Sequence, residues 1–285
     1  MSRLEIKPLL GIVICLWVAG NIQAAISAEE VPFKLHRGYT IVVQGSIAGH
    51  KKLNFIIDTG AVPSVVDEGF IRRLRVDGRA DRLWVFNTDL PARRAVLPDL
   101  RLGPIQVRSL PVLIADLSFI GRAIGTRVDA MVGLDVLGRT NFSIDYELKK
   151  IVFVPLDQTR PAIAFEDKEG FVVVRLLVEG KPFRMLLDTG AKDLVLFENR
   201  VRGELSPITI LGTKAVTNLG GEVLLKRANF SKVSLGSIDL GDQQASLMVT
   251  TATNSTGLDG LLGVTALGVK RIAIDFDRRL LSLER

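Results

Sequence analysis

Cysteine is all but absent from this chain. Of 285 residues only Cys15 carries a thiol, and it lies in an apolar stretch near the N-terminus. A disulfide framework is therefore excluded for the body of the protein, whose stability has to come from packing. Histidine is almost as scarce. With only His36 and His50, neither a histidine-rich metal site nor a Ser-His-Asp relay has its parts, and both residues read as surface side chains. Aromatic residues make up 6% of the chain and do not interleave with the basic runs IRRLR, ARR and DRRL, so no nucleic-acid partner is expected. No P-loop lysine pattern occurs either, and no cofactor or metal is expected.

What is present begins with a leader. Arg3 and Lys7 precede a run without charge from Pro8 to Ala28, centred on LLGIVICLWVA and ending in small residues. That layout is a secretory signal, residues 1–28, with cleavage acceptable after Ala28 or Ala24. The run is also about long enough for an uncleaved membrane anchor, although Asn21, Gln23 and Ser27 break its apolar half. Cys15 lacks the small preceding residue of a lipidated cysteine and reads as filler. The protein is expected to be exported, periplasmic or secreted, with no membrane contact after cleavage. Losing Arg3, Lys7 and Glu5 leaves a mildly basic chain of formal charge +5, against +6 for the whole.

The remainder repeats itself. Asp58 and Asp188 open two Asp-Thr-Gly-Ala tetrads, in NFIIDTGAVPSVV and RMLLDTGAKDLVL, at an offset of 130. DAMVGLDVLG (129–138) and DGLLGVTALG (259–268) align at the same offset, with Gly133 against Gly263. FSIDYELKKIVFV (142–154) and IAIDFDRRLLSLE (272–284) follow, again 130 apart. Three matched blocks at one spacing identify a duplication. The halves are 29–155 and 156–285, joined at the proline-bearing PLDQTRPAIAF. Each is rich in strand-length runs such as YTIVVQGSIAG, LNFII, SVV, LWVF, IQV and LPVLIA. Helix is expected only at 67–74 and in single turns after Gly133 and Gly263. FVVVRLLVEGKPFRMLL reads as a hairpin that turns at EGK and delivers the chain into Asp188.

An apolar strand running into Asp-Thr-Gly leaves the aspartate at a strand end facing outward. Gly60 and Gly190 are expected to let the chain turn through backbone angles that a side chain would oppose. If the two halves pack about a pseudo-twofold axis, Asp58 faces Asp188. Like charges so close cannot both ionise cheaply, so such a pair holds one proton over a broad pH range; aspartic proteases are the standard instance of this effect. Water between the pair can lose a proton to one member while the other hydrogen-bonds a carbonyl oxygen. Which aspartate plays which part stays open, because the pair titrates as a unit.

On these motifs the chain resembles the retropepsin-like branch of the aspartic proteases, most closely exported bacterial members with two fused halves. The resemblance covers nearly all of the chain beyond the leader. It rests on the apolar-apolar-Asp-Thr-Gly-Ala strand ends and on MVG (131–133) and LLG (261–263). It implies a mainly β fold of two tandem β-barrel lobes, related by a pseudo-twofold axis, with few short helices. It implies an endopeptidase with catalytic Asp58 and Asp188, loop support from Thr59, Gly60, Ala61, Thr189, Gly190 and Ala191, and a strand bearing Gly133 and Gly263 beside each loop. Thr59 and Thr189 would interlock beneath the carboxyls. Ala61 and Ala191 offer no hydroxyl to the carboxylates, which predicts a pH optimum from weakly acidic to near neutral.

Departures from that pattern are equally specific. TNLGGEVLL, with Gly220 and Gly221, fits a flap hairpin over the cleft in the second half. VFNTDLPARRAV in the first half has no glycine and holds a proline, which predicts a stiffer wall. Leu134-Asp135 and Val264-Thr265 stand where retroviral enzymes carry a subunit-tying arginine. An interlaced sheet of terminal strands is expected to join the lobes instead. Asp145 and Asp275 repeat at the same offset but read as structural turn caps. The expected partner is a polypeptide substrate, and the expected species is a monomer acting as an internal pseudo-dimer. The alternatives are a catalytically silent peptide-binding or adhesion module on the same fold, and exchange of halves between two molecules.

Overall fold

Alternating apolar and polar residues make strands from the first described residue onward. The computed structural model describes residues 29–85, 88–153, 162–205, 207–250 and 257–285. In the first half these are β1 (Glu29–His36), β2 (Thr40–Ile47), β3 (His50–Ile57), β4 (Val65–Asp67), α1 (Glu68–Leu74), β5 (Arg79–Val85), β6 (Thr88–Leu102), β7 (Ile105–Ala115), α2 (Ser118–Ile124), β8 (Ala130–Val132), α3 (Leu134–Leu137), β9 (Phe142–Asp145) and β10 (Lys150–Phe153). In the second half they are β11 (Ala162–Ala164), β12 (Glu166–Lys168), β13 (Phe171–Val178), β14 (Lys181–Asp188), β15 (Leu194–Phe197), α4 (Glu198–Val201), β16 (Ile210–Asn218), β17 (Gly221–Leu235), β18 (Ile238–Met248), β19 (Gly260–Gly263), a 3-10 turn at Val264–Leu267, β20 (Arg271–Asp275) and β21 (Leu280–Glu284).

The halves repeat one plan. A hairpin, β2–β3 or β13–β14, runs into the Asp-Thr-Gly loop. The returning β8 or β19 pairs parallel to its second strand, setting Ile57 beside Val132 and Asp188 beside Gly263. A short strand, β4 or β15, then packs antiparallel on the other side of β8 or β19. The turn at Glu179–Gly180 uses positive φ at both residues, 52° and 81°, as a tight two-residue hairpin requires.

The lobes are stitched together by their terminal strands. β1, β10, β9, β20, β21 and β11 lie side by side, so chain from both halves forms one 13-stranded sheet. The seam is β9 against β20, antiparallel, with Ile144 opposite Ile272 and Ser143 opposite Ala273. The sparse aromatics concentrate there. Phe276 lies 6.0 Å from Phe142 and 5.9 Å edge-on from Phe165, ring centre to ring centre. Burying such rings where two copies meet gives the joint hydrophobic area as well as backbone hydrogen bonds.

Several expectations require revision. IQV and LPVLIA are not two strands but one, β7, which passes Ser109 at a φ of 50°. The helix α2 has no counterpart in the periodicity, since Gly121 sits at its centre and no side chain caps its start. Gly121 is there because it is buried, and a Cβ would stand 2.8 Å from the Thr126 carbonyl oxygen. The first-half counterpart of the flap segment forms the hairpin of β5 and β6, with Pro91 opposite Arg82. Its tip, 86–87, lies outside the described residues, as do the leader 1–28 and most of the expected linker. Among the described residues no helix is long and apolar enough to cross a membrane.

Candidate active site

Asp58 immediately follows β3 and Asp188 is the last residue of β14. The first loop is held open by backbone bonds on both sides, Asp58 N to the Val132 carbonyl (3.0 Å) and Leu134 N to the Ala61 carbonyl (3.0 Å). Gly133 has to be glycine because a Cβ there would sit 2.1 Å from the Ala61 oxygen. In the second loop Gly263 N donates to the Asp193 carbonyl (3.1 Å), and a Cβ on Gly263 would lie 2.6 Å from that oxygen.

The two loops meet. Thr59 N donates to Thr189 Oγ1 and Thr189 N donates to Thr59 Oγ1, both at 3.0 Å. Each hydroxyl then donates across the lobes, Thr59 Oγ1 to the Leu187 carbonyl (2.7 Å) and Thr189 Oγ1 to the Ile57 carbonyl (3.0 Å). Both threonines are buried, so every one of these groups would be an unsatisfied polar atom if its partner were removed. This lattice sets the aspartates face to face.

The glycines of the tetrads serve a different purpose from the one their turn chemistry suggests. Neither Gly60 nor Gly190 has a left-handed φ. Instead, a Cβ on Gly60 would stand 2.7 Å from the Asp188 Cγ, and one on Gly190 would stand 2.9 Å from the Asp58 Cγ. Each glycine makes room for the carboxyl of the opposite lobe.

Electrostatics separates the two acids. Burial and then the charge of Asp188 hold Asp58 well above the ordinary carboxylate range, against one backbone bond from Gly60 N (2.8 Å). Burial also raises Asp188, but Gly190 N (2.7 Å) and Ala191 N (3.0 Å) both donate to its Oδ1 and oppose the rise. In the first loop Ala61 N instead points to the Asp58 backbone carbonyl, at 3.3 Å. The extra N–H favours the ionised form of Asp188.

The β16–β17 hairpin turns at Leu219–Gly220, with Gly221 at a φ of 109°. Leu219 crosses to the first lobe and packs against its buried cluster, which Ile120 and Ile124 of α2 also join. The end of α2 is tied down in turn: His36 Nδ1 lies 3.0 Å from the Ile124 carbonyl, and Arg37 Nε donates to the Ala123 carbonyl. His36 is thus half-buried and bonded, not a plain surface residue. His50 is exposed, with its ring 5.8 Å edge-on from Phe70.

Some participants escaped the sequence reading. Ser64 Oγ accepts from Gly133 N (2.9 Å) and donates to Asp135 Oδ1 (2.7 Å), bracing the first loop from below. Asp135, which stands where retroviral enzymes carry an arginine, completes that brace by accepting from Ser64 N as well (3.1 Å). The second lobe has Thr265 in its place, and its hydroxyl donates to the Lys192 carbonyl (2.8 Å). Lys214 of β16 forms an ion pair with Asp193 beside the second loop. Asp145 and Asp275 behave as turn caps, accepting from Leu148 N (2.7 Å) and Arg278 N (2.9 Å).

Among curated proteins none matches the chain. The family model described as aspartyl protease matches twice, over residues 43–136 and again over 174–266, so each match contains one Asp-Thr-Gly loop and its returning glycine strand. The chain belongs to the aspartyl protease family, with two fused retropepsin-like halves.

Proposed function

We propose that the protein is an endopeptidase that hydrolyses peptide bonds in extended polypeptide, with water activated between Asp58 and Asp188. Family membership supports peptidase chemistry and implies a polypeptide substrate. The observation that carries the finer reading is the pairing of two carboxyls, one per lobe, each set against the glycine of the opposite tetrad, with Asp188 buried and Asp58 half-buried.

In this reading Asp188, bonded by two backbone N–H groups, is the base. It takes a proton from water as the oxygen attacks the scissile carbonyl carbon. Protonated Asp58 donates to the carbonyl oxygen, so the tetrahedral intermediate forms as a neutral diol without covalent attachment to the protein. Asp188 then gives its proton to the amide nitrogen while Asp58 takes one from a diol hydroxyl, so the C–N bond breaks to release amine and carboxylic acid and both carboxyls return to their starting states. The Thr59–Thr189 lattice acts as positioning structure, and the β16–β17 hairpin acts as a flap that grips the substrate as an added strand. Export through the leader, action as a monomer, and the roles of Gly60, Ala61, Gly133, Gly190, Ala191, Gly220 and Gly221 belong to the same proposal.

The test is a casein and peptide-library digest by the wild-type protein, with and without a statine-type transition-state mimic. Cleavage abolished by the mimic supports the reading. A well-folded protein that binds peptide and leaves it uncut identifies the binding module instead.

A further inference from the structure

We infer that the second-lobe end of the cleft recognises a carboxylate on the polypeptide, through Arg227. The inference rests on the endopeptidase reading above and specifies which substrates that site takes.

Arg227 lies on β17, the inner strand of the flap hairpin, opposite Gly212 of β16 and Ser246 of β18. Directly paired residues share a face of the sheet, and Ser246 is itself paired to Val195, two residues beyond Asp193. Lys214 belongs to the same face, because its cross-strand partner is Leu225, two residues from Arg227. It reaches Asp193, five residues after Asp188 in the active-site loop. Arg227 therefore stands on the sheet face whose Lys214 holds the active-site loop at Asp193, and the exposed Lys192 adjoins that aspartate in sequence.

The guanidinium is unfinished. Arg227 Nε is buried without a hydrogen-bond acceptor, and among the described residues no carboxylate pairs with Arg227. A buried donor on a charged group left without an acceptor is costly, and a carboxylate is the group its planar fork fits best. Space is available, since a Cβ on the facing Gly212 would meet nothing within 4 Å. The first lobe supplies a control. At the equivalent register Arg94 lies opposite Arg79 and Leu113, and Leu113 pairs with Val65 as Ser246 pairs with Val195. Arg94 Nε is occupied by Asp81. Lys214 takes the place of Asp81 in the second lobe, so the acceptor there has been replaced by another cation.

The carboxylate can be an Asp or Glu side chain or the free end of a chain. Binding to the full-length Asp58→Asn variant separates these without requiring turnover. Fluorescence anisotropy would compare end-capped peptides holding Glu or Gln at successive positions, together with a neutral peptide ending in a free carboxylate. The inference predicts about tenfold tighter binding for at least one acidic peptide. Added Arg227→Leu should remove that preference, and added Arg94→Leu should leave it intact. If only the free chain end is preferred, the inference holds with the terminus as its source. Should Arg227→Leu melt early, Ser246→Asp supplies an internal partner with the arginine in place, and it should erase the preference equally. Equal binding of acidic and neutral peptides, no peptide binding, or a preference that survives both variants overturns the inference. Catalysis can stand when this fails, since neutral peptides would still be cut, and this can stand when catalysis fails, since binding alone is read.

Discussion

Thr59 and Thr189 hydrogen-bond each other in both directions, each amide to the other's hydroxyl at 3.0 Å. Residues 130 apart in sequence thus close a buried ring whose only way in is from opposite lobes. The ring makes the aspartate geometry a property of the assembled pair.

Breaking the ring should therefore cost both stability and activity. Thr59→Val keeps the volume but leaves Thr189 N and the Leu187 carbonyl without their partner. A loss of about 2–3 kcal/mol in urea unfolding is expected, together with a fall in kcat. Thr59→Ser, which keeps the hydroxyl, should recover most of both.

Gly60 offers a sharper steric test. Alanine there places a methyl within 2.7 Å of the Asp188 Cγ, a contact that has to push the carboxyls apart. Gly60→Ala should depress kcat/KM by about a hundredfold or more, while the melting temperature falls far less than for Gly133→Ala. In the latter the methyl meets backbone at 2.1 Å, which has nowhere to go.

The pH dependence follows from the raised acids. Activity needs one ionised and one protonated member, so kcat/KM should rise as the first proton leaves and fall as the second does. With both groups raised by burial, and Asp58 further by Asp188, the bell should centre between weakly acidic and neutral pH. A maximum in strong acid would contradict this.

Stability carries the opposite signature to that of an ordinary surface carboxylate. The folded pKa of Asp58 lies above its unfolded value, so the folded state binds the extra proton and stability declines as pH rises through that window. Asp58→Asn removes the ionisable group. It should raise the melting temperature at pH 7, and the gain should vanish once the pH falls below the unfolded carboxylate range, where both proteins are neutral there.

How much of this was legible in the sequence depends on whether a residue's reason is local or paired. The repeat offset of 130 exposed the dyad, the returning glycines and the turn caps Asp145 and Asp275, because duplication prints each contact twice. The seam of β9 against β20 was inferable from the repeated FSIDY and IAIDF blocks. Asymmetric devices left no such print. Ser64 with Asp135, and Lys214 with Asp193, have no equivalent pair at the same offset, and α2 hides behind a central Gly121 that tertiary contact demands. Gly60 and Gly190 admit a neighbour's carboxyl without a left-handed φ, and in sequence such a glycine is indistinguishable from one that turns the chain.

Most directly at issue is whether Asp58 and Asp188 act as one catalytic unit. The measurement is kcat/KM on a single peptide for the wild type, Asp58→Asn, Asp188→Asn and the double variant. All three variants should fall by at least about a hundredfold to a common floor, because removing either half of a unit removes the whole. Wild-type activity in either single variant, or losses that multiply in the double variant, would contradict a shared dyad.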